Sequence, residues 1–335
     1  MNLLFLFLFI SLFNSIIFFK FETLTRNFIF FDKPDGKLKK HNKPVSIIGG
    51  LIILLNLYLI IFFLKILNLD NTIFENNFSY IMLTLGTLFF IVGFIDDLKN
   101  LSPNIKLILI IASVSLVTIF FPEIKLELIK ISFLKHNYSF EKFSLIFIIL
   151  SFSLLANALN MFDGINLQLI SFTLFVFVIF ILKGFLPIFF SLISICLILL
   201  GLLNYRNKVF IGDGGCYLIS VIIGCSFIYQ YQNFDNFFYG DEVFIILLIP
   251  ALDMLRLFIF RIIKSKHPFK GDLKHLHHLV DKVTKNKNFT VIITISLSMF
   301  PSILMITGLE TYFILALNFI IYLVLILFLE YKLKL

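Results

Sequence analysis

The length of its apolar runs constrains this chain more than any other feature. Cut at its polar breaks, the sequence yields eleven runs, at roughly 2–19, 47–67, 80–96, 104–121, 143–160, 166–182, 187–204, 214–231, 242–263, 291–308 and 311–329. A bilayer core about 30 Å thick is crossed by about 20 mostly apolar helical residues, which is the length of these runs. Composition agrees, since 60% of the residues are hydrophobic, 14% are charged and the mean hydropathy is +1.02. Ordinary soluble domains do not reach such values. The expected fold is all-α: a polytopic integral membrane protein with about 11 transmembrane helices, forming a single transmembrane domain over 1–335. The longest polar stretches, 20–46 and 264–290, are too short to bury a core of their own. The first run lacks a basic leader and a small-residue cleavage site, so it reads as a retained span. Cys196, Cys216 and Cys225 have no paired spacing and read as small packing residues.

Basic charge sets the expected orientation, because loops rich in Lys and Arg stay in the cytoplasm. With the N-terminus outside, loops of about 20–46, 97–103, 161–165, 205–213 and 264–290 share the cytoplasmic side with the C-terminal tail. Segment 20–46 alone carries Arg26 and six lysines, Lys43 among them. The net charge of +8 is then an orientation signal and an anion-attracting face, and no nucleic-acid partner is needed to explain it.

The polar motifs fall on that same side. They are DKPDGKLKKHNKPVSIIGG (32–50), DDLKN (96–100), NALNMFDGIN (157–166), NYRNKVFIGDGG (204–215), PALDMLRLFIFR (250–261) and KHPFKGDLKHLHHL (266–279). Adjacent Asp96 and Asp97 at the end of an apolar run repel one another unless a cation compensates. Magnesium suits them, since it takes hard oxygens from one or two carboxylates plus substrate phosphates. Asn157 and Asn160 share a helical face that Asp163 continues, with Asn166 just beyond. Interhelical hydrogen bonding would explain part of this, but four polar groups in ten residues exceed what packing needs. Asp213 lies between glycines that allow close approach to a ligand. His275, His277 and His278 stand among lysines. Zinc is one reading of them, but no cysteine or carboxylate set accompanies them, and phosphate binding suits them better.

In this order the motifs resemble the bacterial polyprenyl-phosphate N-acetylhexosamine-1-phosphate transferases, the superfamily of WecA and MraY, glycosyltransferase family 4 in type. The HLHH form (275–278) is closer to the WecA-like branch. The resemblance covers 32–279 and implies an active site at the cytoplasmic face of the bacterial inner membrane. The implied reaction moves a sugar 1-phosphate, N-acetylglucosamine 1-phosphate or a related N-acetylhexosamine 1-phosphate, from a UDP-sugar to undecaprenyl or another polyprenyl phosphate. UMP is released, and the product initiates cell-envelope polysaccharide or lipopolysaccharide synthesis. The implied cofactor is Mg2+, with Mn2+ as a substitute, held by Asp213 and Asn160. Asp96, Asp97, Asp213 and His275 take catalytic roles. Asn157, Asn160, Asp163, Asn166, Phe210, Lys43, Arg261, His277 and His278 take substrate-binding roles, with Phe210 at the uracil-stacking position. The oligomeric state is open, a homodimer among the options. The chain departs from the family pattern at Asn166, Leu167 and Cys216, where relatives often carry Asp, Gly and Ser, and Leu273 follows Asp272 where a basic residue is usual.

A membrane transporter of an anionic solute is the rival reading. Transporter sites lie near the midplane at repeat interfaces. Here the acidic motifs crowd one face and no internal repeat is visible. A CDP-alcohol phosphotransferase would need a second aspartate soon after the Asp163-Gly164 pair, and DGINLQLISFTLFV (163–176) has none.

Overall fold

The computed structural model of the chain describes residues 2–26, 30–32, 44–70, 72–134, 138–233, 238–266, 268 and 272–334. Its helices, in order, are α1 (Asn2–Thr25), α2 (Gly49–Leu67), α3 (Phe78–Lys99), α4 (Pro103–Phe120), α5 (Ser144–Phe162), α6 (Gln168–Leu182), α7 (Pro187–Tyr205), α8 (Gly212–Asn233), α9 (Gly240–Ile246), α10 (Leu248–Ile263), α11 (Leu276–Thr284), α12 (Lys287–Ile306) and α13 (Thr311–Leu333). Among the described residues the extended pairings are Phe31–Asp32 with Val45–Ser46 and Leu128–Ile129 with Tyr138–Ser139, both antiparallel, and a single parallel bridge from Ser46 to Val209. Among the described residues, nine helices are long and apolar enough to cross a membrane, or ten if the bent pair α9–α10 is one span. Large apolar side chains such as Phe19, Ile119, Leu182 and Ile306 stand on the surface. Water would penalise them and lipid does not. The chain is a multi-pass, all-α membrane protein.

Two expected spans take other forms. The run 242–263 is broken at Leu247, where α9 and α10 meet at 78°. Pro250 has no N–H to give the Ile246 carbonyl, and a proline is tolerated in the first turn of a new helix but not inside a continuous one. The helical pattern resumes with the Ala251 N–H on the Leu247 carbonyl. The run 166–182 is the 15-residue helix α6, about 22 Å long and so shorter than the hydrocarbon core. It cannot start earlier because Leu167 is in the left-handed region with φ 70°. Past its C-terminus, Gly184 at φ 75° turns the chain away.

The polar loops are also tighter than expected. The first six residues of 20–46 belong to α1, and 264–290 contains α11 and the start of α12. Asp96 and Asp97 lie in the last turn of α3 rather than at a loop start, and Asn100, at φ 49°, ends that helix.

By the density of their contacts the described residues fall into two compact units. The first is Met1–Ile124 with Thr173–Ser226, the second Lys125–Phe172 with Phe227–Leu335. In the first, α1, α2 and α7 pack together and α3 lies between α2 and α4. Asn14 and Asn56, both buried, join α1 to α2 by reciprocal amide hydrogen bonds of 2.7 and 3.0 Å. Each amide also returns a hydrogen bond to its own helix, so neither polar group is left bare in an apolar interior. In the second unit α5 packs on α10, while α9, α11, α12 and α13 pack around one another.

Candidate active site

The first unit gathers three of the expected catalytic carboxylates. Asp96 is 4% exposed; it accepts the Leu101 N–H at 2.7 Å and is ion-paired with Lys106 of α4. Asp97 accepts the N–H of Asp213 at 3.0 Å and that of Gly214 at 3.2 Å. Those are first-turn donors of α8 with no partner inside their own helix, so Asp97 caps α8 from α3 and fixes where Asp213 sits. The Asp213 carboxylate is 3.8 Å from Lys106 and is in contact with Asp96.

Glycines make this approach possible. A Cβ on Gly93 would fall 2.5 Å from the Asp213 carbonyl. Gly212 has φ 72°, and a Cβ there would lie 2.5 Å from Asp97 Oδ2. The start of α2 is fastened to the segment before α8, with Gly49 donating to the Phe210 carbonyl at 3.1 Å and Gly50 to Ile211 at 3.0 Å. Phe210 donates to Ser46 at 2.8 Å, leaving its ring half-buried beside the mouth of α8. The GG of motif 32–50 is thus a docking step for the GDGG turn. Residues 33–43 of that motif, Lys43 among them, lie outside the described residues.

The second unit gathers the histidine loop. Asp253 of α10 accepts from His275 Nδ1 at 2.8 Å through one oxygen. Through the other it accepts the Leu276 N–H at 3.0 Å, Arg256 at 2.9 Å and the Tyr322 hydroxyl at 2.9 Å. Arg261, 1% exposed, donates to Asp272 at 3.0 Å and to the Pro268 carbonyl at 2.6 Å, and its third nitrogen is 3.5 Å from His275 Nε2. Its guanidinium therefore orders the loop itself. Burial opposes ionisation of Asp272, but hydrogen bonds from Arg261 and from the Lys274 N–H, with the Arg261 charge, hold its carboxyl below the usual range.

His277 lies parallel to His275, with interplanar angle 2° and centroids 5.7 Å apart, and His278 is 4.1 Å from it. Burial, then the His278 and His275 imidazoles, holds His277 well below the ordinary histidine pKa, so it is neutral. Its Nε2 is buried with no hydrogen-bond partner among the described residues. The ring occupies the space above Gly164, where any Cβ would overlap it. This notch brings the NALNMFDGIN loop and the histidine loop together. Asp163 caps the end of α5, its N–H on the Leu159 and Asn160 carbonyls. Asn157, Asn160, Asp163 and Asn166 are all half-buried, and Asn157 bonds back to the Ser153 carbonyl at 2.7 Å. His278 is half-buried, the most open of the three histidines.

Lys106, Asp253, Arg256, Asp272 and Tyr322 are not among the sequence-based site residues, yet they hold those residues in place. Asp253 and Arg256 stand three apart in an apolar run, a cue for buried polar structure. Tyr322 gives no cue, being a tyrosine in a uniformly apolar helix.

Residues 79–231 match the family model for glycosyl transferase family 4. The chain is 27% identical over 275 residues to an undecaprenyl-phosphate alpha-N-acetylglucosaminyl 1-phosphate transferase of Thermotoga maritima, a match covering 80% of this chain and 79% of that one. It is also 27% identical over 307 residues to the Escherichia coli K12 protein of the same name, covering 88% and 81%. A Salmonella typhi protein of that name is 35% identical over 81 residues, or 24% of this chain and 22% of that one.

Proposed function

We propose that this chain transfers an N-acetylhexosamine 1-phosphate, N-acetylglucosamine 1-phosphate first among the candidates, from a UDP-sugar to a polyprenyl phosphate with release of UMP. The observation that carries this reading is the trio Asp96, Asp97 and Asp213, drawn together at helix ends with Lys106 as their paired cation among the described residues. Such a trio is anionic, yet its substrates are anionic too, and a divalent cation reconciles the two. The donor set is all hard oxygen, as magnesium or manganese requires. Asp97 and Asp96 are already committed to N–H donors and Lys106, which leaves Asp213 as the metal ligand. When bound, the metal neutralises the charge that develops on the transferred phosphoryl oxygens.

The chain's own residues do the positioning. Asp97 holds the first turn of α8, and through it Asp213, in register. Lys106 draws the lipid phosphate toward Asp96. The lipid phosphate oxygen attacks the β-phosphorus in line, forming a new P–O bond. The bond from the β-phosphorus to the bridging oxygen breaks, and UMP leaves with that oxygen. The sugar's C1–O bond stays intact. Within the first unit Phe210 is the residue offered for uracil stacking, and within the second Asp163 and Asn166 are those offered for nucleotide contacts. The histidine loop, with His275 and His278, binds the diphosphate or the sugar.

The reaction requires a cytoplasmic face, because nucleotide sugars are cytosolic, and the basic loops favour an N-terminus outside and a C-terminus inside. Reporter fusions at the C-terminus test the orientation, and a signal from the opposite side refutes it. The reaction is tested with purified protein, magnesium, a short polyprenyl phosphate and a panel of UDP-sugars. UMP release that depends on the lipid supports direct attack. Exchange of labelled UMP into the UDP-sugar with all lipid removed refutes it in favour of a covalent enzyme intermediate.

A further inference from the structure

The best-satisfied buried carboxylate in the second unit, Asp253, has no part in the transfer described above. It is 4% exposed, and its two oxygens accept from four donors on three elements. With Arg256 and the Tyr322 hydroxyl both pointing at it, it has no need of a proton or a metal. That leaves its contact with His275 as the bond with chemical consequence. A carboxylate only accepts hydrogen bonds, so His275 Nδ1 must carry the proton in that 2.8 Å contact. The Nε2 atom then carries the lone pair, with an Arg261 nitrogen 3.5 Å away as its donor. The same carboxylate accepts the N–H of Leu276, the first residue of α11, so ring and backbone are fixed from one anchor.

We propose that Asp253 is the positioning residue for His275, fixing its imidazole with Nδ1 protonated so that Nε2 is the atom that binds the substrate diphosphate. This rests on the reading above in which the histidine loop binds the diphosphate. A neutral Nε2 would turn a lone pair toward an anion, so the binding form is the imidazolium, donating from Nε2. Asp253 stabilises that form in the way a carboxylate behind a catalytic histidine does. Other charged and titratable groups face the ring too. Arg261 from α10, 3.5 Å from Nε2, opposes the imidazolium. Asp272 partly neutralises Arg261 at 3.0 Å. His277 and His278 of α11 lie within 5.7 and 6.4 Å of the ring centre. Arg256 of α10 reaches the ring through Asp253 and also donates to the neighbouring Lys274 carbonyl at 2.6 Å, and Tyr322 of α13 reaches it through Asp253. Lys274 is exposed, with its ammonium over the Phe260 ring.

The test combines nitrogen NMR of histidine-labelled full-length protein with kinetics. In the unsubstituted protein, His275, assigned by its loss in His275→Gln, is expected to show a protonated Nδ1 across the titration and to titrate at Nε2. A neutral His275 with its proton on Nε2 overturns the proposal without any activity measurement. In Asp253→Asn, kcat/KM for the nucleotide sugar is expected to fall roughly 10–100-fold, the usual cost of removing an orienting partner. The loss should be deeper at pH 8 than at pH 6, because the alkaline limb of the profile moves to lower pH. Asp253→Glu should restore part of the activity and the original limb. An equal loss at every pH, with the His275 titration unmoved, means that Asp253 only caps α11 and overturns the proposal. Full activity in His275→Gln instead strikes the diphosphate-binding role of His275, while the NMR result still reports on Asp253.

Discussion

The clustered carboxylates of the first unit lie at helix ends, those of the second inside α10 and in the loop before α11, and the two sets are compensated differently. In the second, Asp253 and Asp272 face Arg256 and Arg261 one for one, with backbone N–H groups and a tyrosine filling the remaining positions. In the first, Asp96, Asp97 and Asp213 have Lys106 as their paired cation among the described residues. A balanced cluster holds a shape, and an unbalanced one recruits charge. On the proposed reading the first unit's cluster serves cation and phosphate chemistry, and the second's holds imidazoles in fixed positions.

The comparison breaks most easily at Asp213. On the proposed reading, Asp213→Asn is expected to cut turnover by roughly 10²–10³-fold, since a neutral oxygen would replace the anionic metal ligand. The protein should still fold, as the caps on α8 come from Asp97. Near-normal turnover would mean that the imbalance in the first cluster has no catalytic use.

The next largest effect concerns the notch of the second cluster. Gly164→Ala puts a methyl group where the His277 ring lies, and displacing that ring should cost about 1–3 kcal/mol, as overpacking does. A lower thermal midpoint and a raised KM for the nucleotide sugar are expected together. An unchanged KM would separate the notch from substrate binding.

Acid should act on the same ring. The native pKa of His277 lies below its unfolded value of about 6.5, so the unfolded chain binds more protons beneath that pH. This stabilising contribution is whole above about pH 6.5 and is lost as pH falls through the native pKa. Asp272, also depressed, adds a loss of the same sign below about pH 4. Thermal midpoints in detergent should therefore drop between about pH 6.5 and 5, and His277→Gln should flatten that slope. A slope that persists in His277→Gln assigns it elsewhere.

The smallest expected change lies at Leu167, where relatives often carry glycine. A left-handed residue other than glycine costs roughly 1–2 kcal/mol, part of which glycine gives back as chain entropy. Leu167→Gly should thus stabilise the chain by about 0.5 kcal/mol, seen as a small rise in thermal midpoint. A fall would show that the leucine side chain contributes more than its backbone costs.

Much of this was legible in the sequence because apolar length and charge act locally. Runs such as 47–67 and 311–329 declared their helices, and the paired Asp96 and Asp97 declared their charge problem. The bend at Leu247 was hidden because an apolar run does not report direction, although Pro250 marked the place. Lys106 was hidden among basic residues that set orientation, and Asp253 among residues whose partners lie up to 69 positions away, at Tyr322. Periodicity says which face a residue lies on, not which distant side chain meets it there.

The central claim is the transfer of sugar and phosphate as one unit, and a double label tests it most directly. With label in both the sugar and the β-phosphate of UDP-N-acetylglucosamine, the reading predicts that both appear in the polyprenyl product in equal amounts, with UMP as the released nucleotide. Sugar label in the lipid without β-phosphate label, and UDP released in place of UMP, would contradict it.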